Sequence, residues 1–460
     1  IFPPPPNLIK IFWLAVMIKK IKLFFSVIGW GLALPVVLLE QHLSGEFHNI
    51  LQNAALVAFS GLLLVAMVGL KAQSIVVTIG LFCIGVLLLP NLPTLEELTD
   101  AGSFVLIFAC LMPTLALVRA TAMTMPSVAH TQSALAALPP EHSASGLQLA
   151  SHTLGGVMNV GSFALVAASL PLDADERRRR VAAEAALRGM NSAVLWSPFF
   201  ISFAIGSAYL PADYALGAIG LGLISAFFFY IISASLAAPK AVKFAFFESL
   251  KPLRPVGKRV LVGIGSVIAV SAITGLTALY AVVLTMPILC VVQMLRRPET
   301  TKTIFRHFSQ LQKQTGGDLV IISVSMIIAA LAQNSNILPE LAKIIFGGTL
   351  DVWQMIWVFP IVVWFGSIFG VHPVISSAPM LALFAPHLSV LDAMFVMQAH
   401  MIGWSTGTMS SIASMSVITV AEQFRLRPVQ LAFGSNMLAS GGLAFFGGGL
   451  WAFFHQVTCS

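Results

Sequence analysis

Runs of mostly apolar residues, each about long enough to cross a bilayer, recur along almost the whole chain and leave room for few other fold classes. They fall near 23–39, 54–70, 74–92, 102–118, 146–170, 189–210, 214–238, 259–276, 277–295, 318–333, 352–369, 403–420 and 429–454. A helix satisfies its backbone hydrogen bonds internally, which a hydrocarbon solvent demands. A membrane β-barrel would show short segments of alternating polarity instead, and none occur. Only 9% of the residues are charged, against roughly 25% in soluble domains, which excludes an ordinary cytoplasmic protein. Two stretches, near 120–140 and 370–386, are interrupted by Pro, Gly, Ser and His and predict re-entrant or broken helices. The expected fold is an all-α polytopic membrane protein with about 11 to 13 membrane segments.

The net charge of +7 does not point to nucleic acid, because the basic residues fall in short loops where they set orientation. Lys10, Lys19, Lys20 and Lys22 precede the first span, which reads as an uncleaved helix with a cytoplasmic N-terminus. "EQHLSGEFHN" and "NLPTLEELTD" carry no Lys or Arg and belong outside. "DERRRR" (Arg177 to Arg180), Lys240 to Arg259, Arg296 to Lys313 and "RLR" (Arg425 to Arg427) belong inside, which sends the C-terminus out. A bacterial inner membrane, with a periplasmic C-terminus, is the expected location. Four cysteines stand singly, with no CxxC, and read as small buried hydrophobes.

The chain also repeats itself. Sliding it by 214 positions sets "GGVMNVGSFA" (Gly155 to Ala164) against "FGVHPVISSA" (Phe369 to Ala378), pairing Gly156 with Gly370 and Ser162 with Ser376. Without a gap, the same shift pairs Gly189 with Gly403, Asn191 with Ser405, Ser192 with Thr406 and Ser197 with Ser411. Upstream it pairs Gly102 with Gly316 and Met112 with Met326. The charge rule places the two copies in opposite orientations, because Arg177 to Arg180 lie inside while "PHLSVLDAMFVMQAH" has no Lys or Arg. The resulting division is a three-helix scaffold (1–100), a first repeat (101–238), basic connecting segments (239–314) and a second repeat (315–455). Inverted repeats with paired interrupted segments are characteristic of secondary transporters, whose site lies where the broken helices meet.

Candidate binding residues follow from this pairing: Asn159, Ser162, Asn191 and Ser192 in the first copy, with His372, Ser376, Ser377, Ser405, Thr406 and Thr408 in the second. Freed carbonyls near Gly156, Asn159, Gly189, Gly370 and Gly403 suit a sodium ion, and helix N-termini suit an anion. The alternative for each polar residue is small-residue packing and interhelical hydrogen bonding. His372 is expected either to carry a coupled proton, to contact an anionic substrate or simply to be hydrogen-bonded. His152 and His400 flank the motifs and are expected nearer the surface. Asn334, Ser335 and Asn336 are expected to cap a helix or line the cavity, and Asp318 to mark a helix start. Arg119 and Arg188 border polar segments, where an arginine can clamp a carboxylate, but their default reading is snorkelling to the interface, and that of Trp196, Trp364 and Trp404 is packing. No acid falls mid-span, which disfavours a carboxylate proton relay.

"GGVMNVGS", "RGMNSAVLWSP", "GVHPVISS" and "GWSTGTMSS" together resemble the ion transporter superfamily. That superfamily takes in divalent anion:sodium symporters, TRAP-type large permeases, citrate and gluconate permeases and arsenite pumps. In its sodium-coupled anion symporters each half carries a Ser-Asn-Thr type motif, which Met190–Ser192 and Trp404–Thr406 only approximate. The resemblance implies a secondary transporter of a small, carboxylate-type anion, with sodium as coupling ion, no other cofactor, and a homodimer as an allowed assembly. Two alternatives stand beside it: a proton-coupled exporter of organic acid or oxyanion, and a membrane subunit of a solute-uptake system that needs a partner. An enzyme is not expected, since the chain has no HExxH, no GxGD pair and no Walker A motif.

Overall fold

The structure, a computed structural model, describes residues 31–36, 46–68, 70, 72–89, 92–137, 140–171, 173–210, 214–237, 250–314, 316–333 and 350–459, with single positions 17, 21, 340, 343, 344 and 347. The N-terminal lysines, most of the first expected span, residues 238–249 and Asn334 to Asn336 lie outside these. All regular structure among the described residues is helical. In chain order the helices are α1 (Glu46–Val68), α2 (Ala72–Leu88), α3 (Leu95–Val105), α4 (Ile107–Ala122), α5 (Pro126–Ala136), α6 (Pro140–Met158) and α7 (Gly161–Ala167). There follow α8 (Glu176–Val194), α9 (Ile201–Tyr209), α10 (Ala215–Ala237), α11 (Arg254–Thr274), α12 (Ala278–Arg296), α13 (Thr301–Gln314) and α14 (Gly316–Gln333). The last are α15 (Val352–Ile368), α16 (Pro373–Phe384), α17 (Val390–Ser410), α18 (Met415–Phe424), α19 (Pro428–Ala432), α20 (Ser435–Gly442) and α21 (Gly448–Cys459).

Seven helices among the described residues are long and apolar enough to cross a membrane: Glu46–Val68, Leu95–Ala122, Ala215–Ser233, Arg254–Thr274, Ala278–Arg296, Gly316–Gln333 and Ser435–Cys459. The chain is thus an all-α integral membrane protein. The count falls below the expected one partly because windows near 146–170, 189–210 and 403–420 each straddle the end of one helix, a break and the start of the next. Conversely, 373–384 is a continuous helix, α16, despite Pro379 inside it.

Contacts divide the chain into two compact units, residues 1–116 with 309–334 and residues 117–308 with 335–460. In the first, α14 packs against α1, α2 and α3. Gln52 donates to Ser103 at 2.6 Å, joining α1 to α3. Thr94 and Glu97 form a reciprocal cap at the start of α3, and Asp318 lies in the first turn of α14, as expected.

Four helix breaks in the second unit bear on the site. Asn159 ends α6 in the left-handed region at φ 53°, and its own Oδ1 accepts from Val160 N at 2.7 Å. Asparagine tolerates that region because its short amide bonds locally. Gly370, at φ 84°, ends α15 through paired bonds from Gly370 N to Ser367 O and from Val371 N to Gly366 O, a Schellman turn. Pro373 then opens α16, where its missing N–H costs nothing. Between α8 and α9 the chain unwinds over 195–200, which contains Pro198, and between α17 and α18 over 411–414. α8 and α17 begin at 176 and 390, and α9 and α18 at 201 and 415, 214 positions apart in both cases.

Arg177 to Arg180 occupy the first turn of α8 behind the N-cap Asp175. Four cations there oppose the helix dipole. Helix stability does not call for them.

Candidate functional site

α8 and α17 pack against each other and are bonded at Asn191. Ser405 Oγ donates to the Asn191 carbonyl at 2.7 Å, across a separation of 214 residues. Each helix therefore meets the other at the counterpart residue. Thr408 Oγ1 lies 2.6 Å from Asn191 Oδ1, and Asn191 Nδ2 donates to Leu187 O at 2.8 Å. The single hydroxyl hydrogen of Thr408 is shared among that amide oxygen and the carbonyls of Trp404 and Ser405. Asn191, Ser405 and Thr406 are fully buried.

The helix pieces beyond the breaks are exchanged in the same way. α18 packs on α8 and on α7, while α9 packs on α17 and on α16. Within each half, α6 lies along α8 and α15 along α17. Gly189 permits the first of these contacts and Gly403 the second. A Cβ at Gly189 would stand 2.0 Å from Gln148 O, and one at Gly403 would stand 3.1 Å from Pro360 Cα.

Other expected site residues divide by partner. Trp196 Nε1 donates to His152 Nε2 at 3.2 Å, which leaves Nδ1 as the protonated nitrogen, facing Ser192 Oγ at 2.8 Å. Ser192 in turn donates to Gly189 O at 2.6 Å, so His152 is a neutral link in a closed chain. Ser162 donates to Asn159 O at 2.8 Å, and Ser197 donates to Gly156 O at 2.5 Å, which holds the unwound 195–200 segment against α6.

In the second half, His372 is the N-cap of α16, its Nδ1 accepting from Val374 N at 3.3 Å, and its ring stands edge-on to Trp404. Ser376 bonds the Pro373 carbonyl of its own helix, and Thr406 bonds Ile402 and Gly403 carbonyls one turn back. Ser377 Oγ is buried without a hydrogen-bond partner. His400, expected near the surface, is fully buried. Its Nε2 lies 2.8 Å from Ser202 O, an acceptor only, so Nε2 carries the proton, and its buried Nδ1 has no partner. Among the tryptophans, Trp364 donates to Ser410 and Ser440, and Trp404 packs between His372 and His400. The packing expectation fits all three.

Two further features adjoin the paired motifs. Arg188, expected to snorkel, is 4% exposed and directed inward. Its Nε donates to Asn436 Oδ1 at 2.7 Å and its Nη2 to Ser435 Oγ at 2.6 Å, with Glu184 3.8 Å away. A charge three residues from Asn191, inside the motif "RGMNS", was the available signal. The second feature is the start of α9, which has no side-chain cap and begins among Phe200, Ser202 and Phe203, all buried. Buried helix N-termini without caps favour electronegative ligands.

A cavity of about 480 Å³ opens elsewhere in the unit, between α4, α6, α11 and α12. Val118, Leu154, Val256 and Met286 are among its walls, with Lys258, Arg259 and Arg296 beside them. Val157 and Met158 join it to the first break, but Asn191, Ser405 and Thr408 do not line it. The candidate site is therefore placed at the helix crossing, where the polar groups converge, and not at this apolar void.

Comparison with known proteins finds no matching family model and no significantly similar curated protein.

Proposed function

We propose that this chain is a secondary active transporter of a small, carboxylate-type anion, working by alternating access and coupled to sodium. The observation that carries the reading is the crossing of α8 and α17, two helices interrupted at corresponding positions and bonded to each other through Asn191 and Ser405. An internal duplication with antiparallel copies accounts for the shared 214-residue spacing, for the exchanged packing of α9 and α18, and for the opposite loop charges. Irregular backbone at membrane depth is tolerated where protein or a wet cavity satisfies it, and broken helices of this kind hold substrate and coupling ion in transporters. The oxygens of Asn191, Ser405 and Thr408 suit a hard cation, and the uncapped start of α9 suits an anion. Coupling through His372 fits less well, because protonating Nδ1 would break the cap of α16. A bacterial inner membrane, with the N-terminus cytoplasmic and the C-terminus outside, belongs to the same reading.

Reconstituted into proteoliposomes, the protein should take up labelled dicarboxylates, tricarboxylates or sugar acids when a sodium gradient is imposed. Asn191→Ala should slow uptake about tenfold, the equivalent of about 1.4 kcal/mol, and Thr408→Val less, since its hydroxyl has other acceptors. Proton-driven uptake lost in His372→Ala would replace sodium by that histidine. No uptake under either gradient, from protein of unchanged helicity, would overturn the proposal of an importer.

A further inference from the structure

We propose that Asp392, His455 and Cys459 form a binding site for a zinc-class divalent cation, away from the helix crossing. Asp392 stands in the first turn of α17, and His455 and Cys459 stand one turn apart in the last turns of α21. Residues four apart on a helix share a face, so the imidazole and the thiol are offered to the same neighbour. One ligand atom from each of the three side chains lies within 4.8 Å of the others. The carboxylate is already oriented. Ser389 donates to its Oδ2 from the hydroxyl at 2.7 Å and from the backbone at 3.1 Å, and His455 Nε2 lies 2.7 Å from Oδ1. His455 is 6% exposed and faces the cluster through Nε2, whose hydrogen bond to Oδ1 a cation between the two would replace.

The donor set selects the ion. Thiolate and imidazole favour zinc-like metals over magnesium or calcium, which take oxygen ligands. At zinc bond lengths of about 2.0–2.3 Å, tetrahedral ligand atoms stand roughly 3.3–3.8 Å apart. Closing the site therefore takes a movement of about 1 Å, and Cys459 is exposed and near the end of α21. Three protein ligands leave a fourth position for water. On binding, the Cys459 thiol gives its proton to solvent, and the thiolate with the Asp392 carboxylate balances the charge of the cation. The occupied site is then neutral at the edge of an apolar bundle, which avoids the cost of an unpaired charge there. A cation held there would tie the last turn of α21 to the first turn of α17.

The test is titration of the untagged full chain in detergent with cobalt(II), followed by zinc(II). One cobalt ion per chain should bind, with a thiolate-to-cobalt absorption band that zinc removes. Cys459→Ser should abolish that band, and Cys459→Ser and His455→Gln should each weaken zinc binding about tenfold or more. Cys83→Ser, which removes the other exposed thiol, should leave band and affinity unchanged. Cys459→Ser alters an exposed side chain, so its result is independent of any folding defect in His455→Gln. Absence of the band, or zinc affinity unaffected by Cys459→Ser, would overturn the proposal, whatever the transport assay reports.

Discussion

Alanine at Gly189 should be among the most destabilising small substitutions in this protein. Its Cβ would stand 2.0 Å from the Gln148 carbonyl oxygen and 3.0 Å from His152 N, both backbone atoms of α6. No side chain can rotate to relieve a clash with backbone, so α6 and α8 must separate along their whole contact. The separation would stretch Ser151 Oγ to Ala186 O, now 2.7 Å, and the 2.8 Å contact of His152 with Ser192. Overpacking of this kind costs about 3 kcal/mol, which should appear as a clear fall in the detergent unfolding midpoint. Gly220→Ala, on α10, is the matched control, since a Cβ there meets nothing within 4 Å. That variant should lie within about 1 kcal/mol of the parent, if anything more stable through helix propensity. Equal midpoints for the two variants would refute the idea that the close approach of α6 and α8 is required.

Membrane class and breaker chemistry were legible in the sequence because both are local. The interruption expected near 370 is present, and the structure uses Gly370 for a left-handed turn, His372 as a cap and Pro373 as a helix opener. Helix limits were less legible, because a hydropathy window averages over a break. The window 189–210 joined the end of α8 to all of α9, and it missed that α8 starts at Glu176 under a cover of arginines. The expected polar residues came together only in part. Asn191, Ser405 and Thr408 bond across two helices, whereas Ser376 and Thr406 turn back on their own. Spacing says which residues share a helix face, and tertiary packing says which face is covered. The same limit hid His400 and Arg188.

Arg188→Ala should cost about 3 kcal/mol, because it removes one member of a buried polar network and strands the rest. Asn436 Oδ1 would lose its donor while its Nδ2 already lacks a partner, so that amide would be left wholly unsatisfied. Ser435 would keep its 2.5 Å bond to Glu184 Oε2 but lose the guanidinium that it now accepts from. As an ionic partner Glu184 would retain only Arg180, 3.1 Å away and 42% exposed, where solvent screens the attraction. Arg180→Ala should accordingly cost less than about 1 kcal/mol, and the gap between the two arginines measures the effect of burial. Replacing both members of the inner pair, as Glu184→Gln with Arg188→Met, should recover part of the loss, since two uncharged groups carry a smaller desolvation penalty than one orphaned ion. Arg188→Lys separates structure from transport. It keeps the positive charge but gives up the planar, two-pronged contact to Asn436 and Ser435. Stability near that of the parent with uptake lost would mean that the guanidinium geometry serves the proposed transport rather than the fold. Stability and uptake falling together would mean that Arg188 acts by holding α8 to α20.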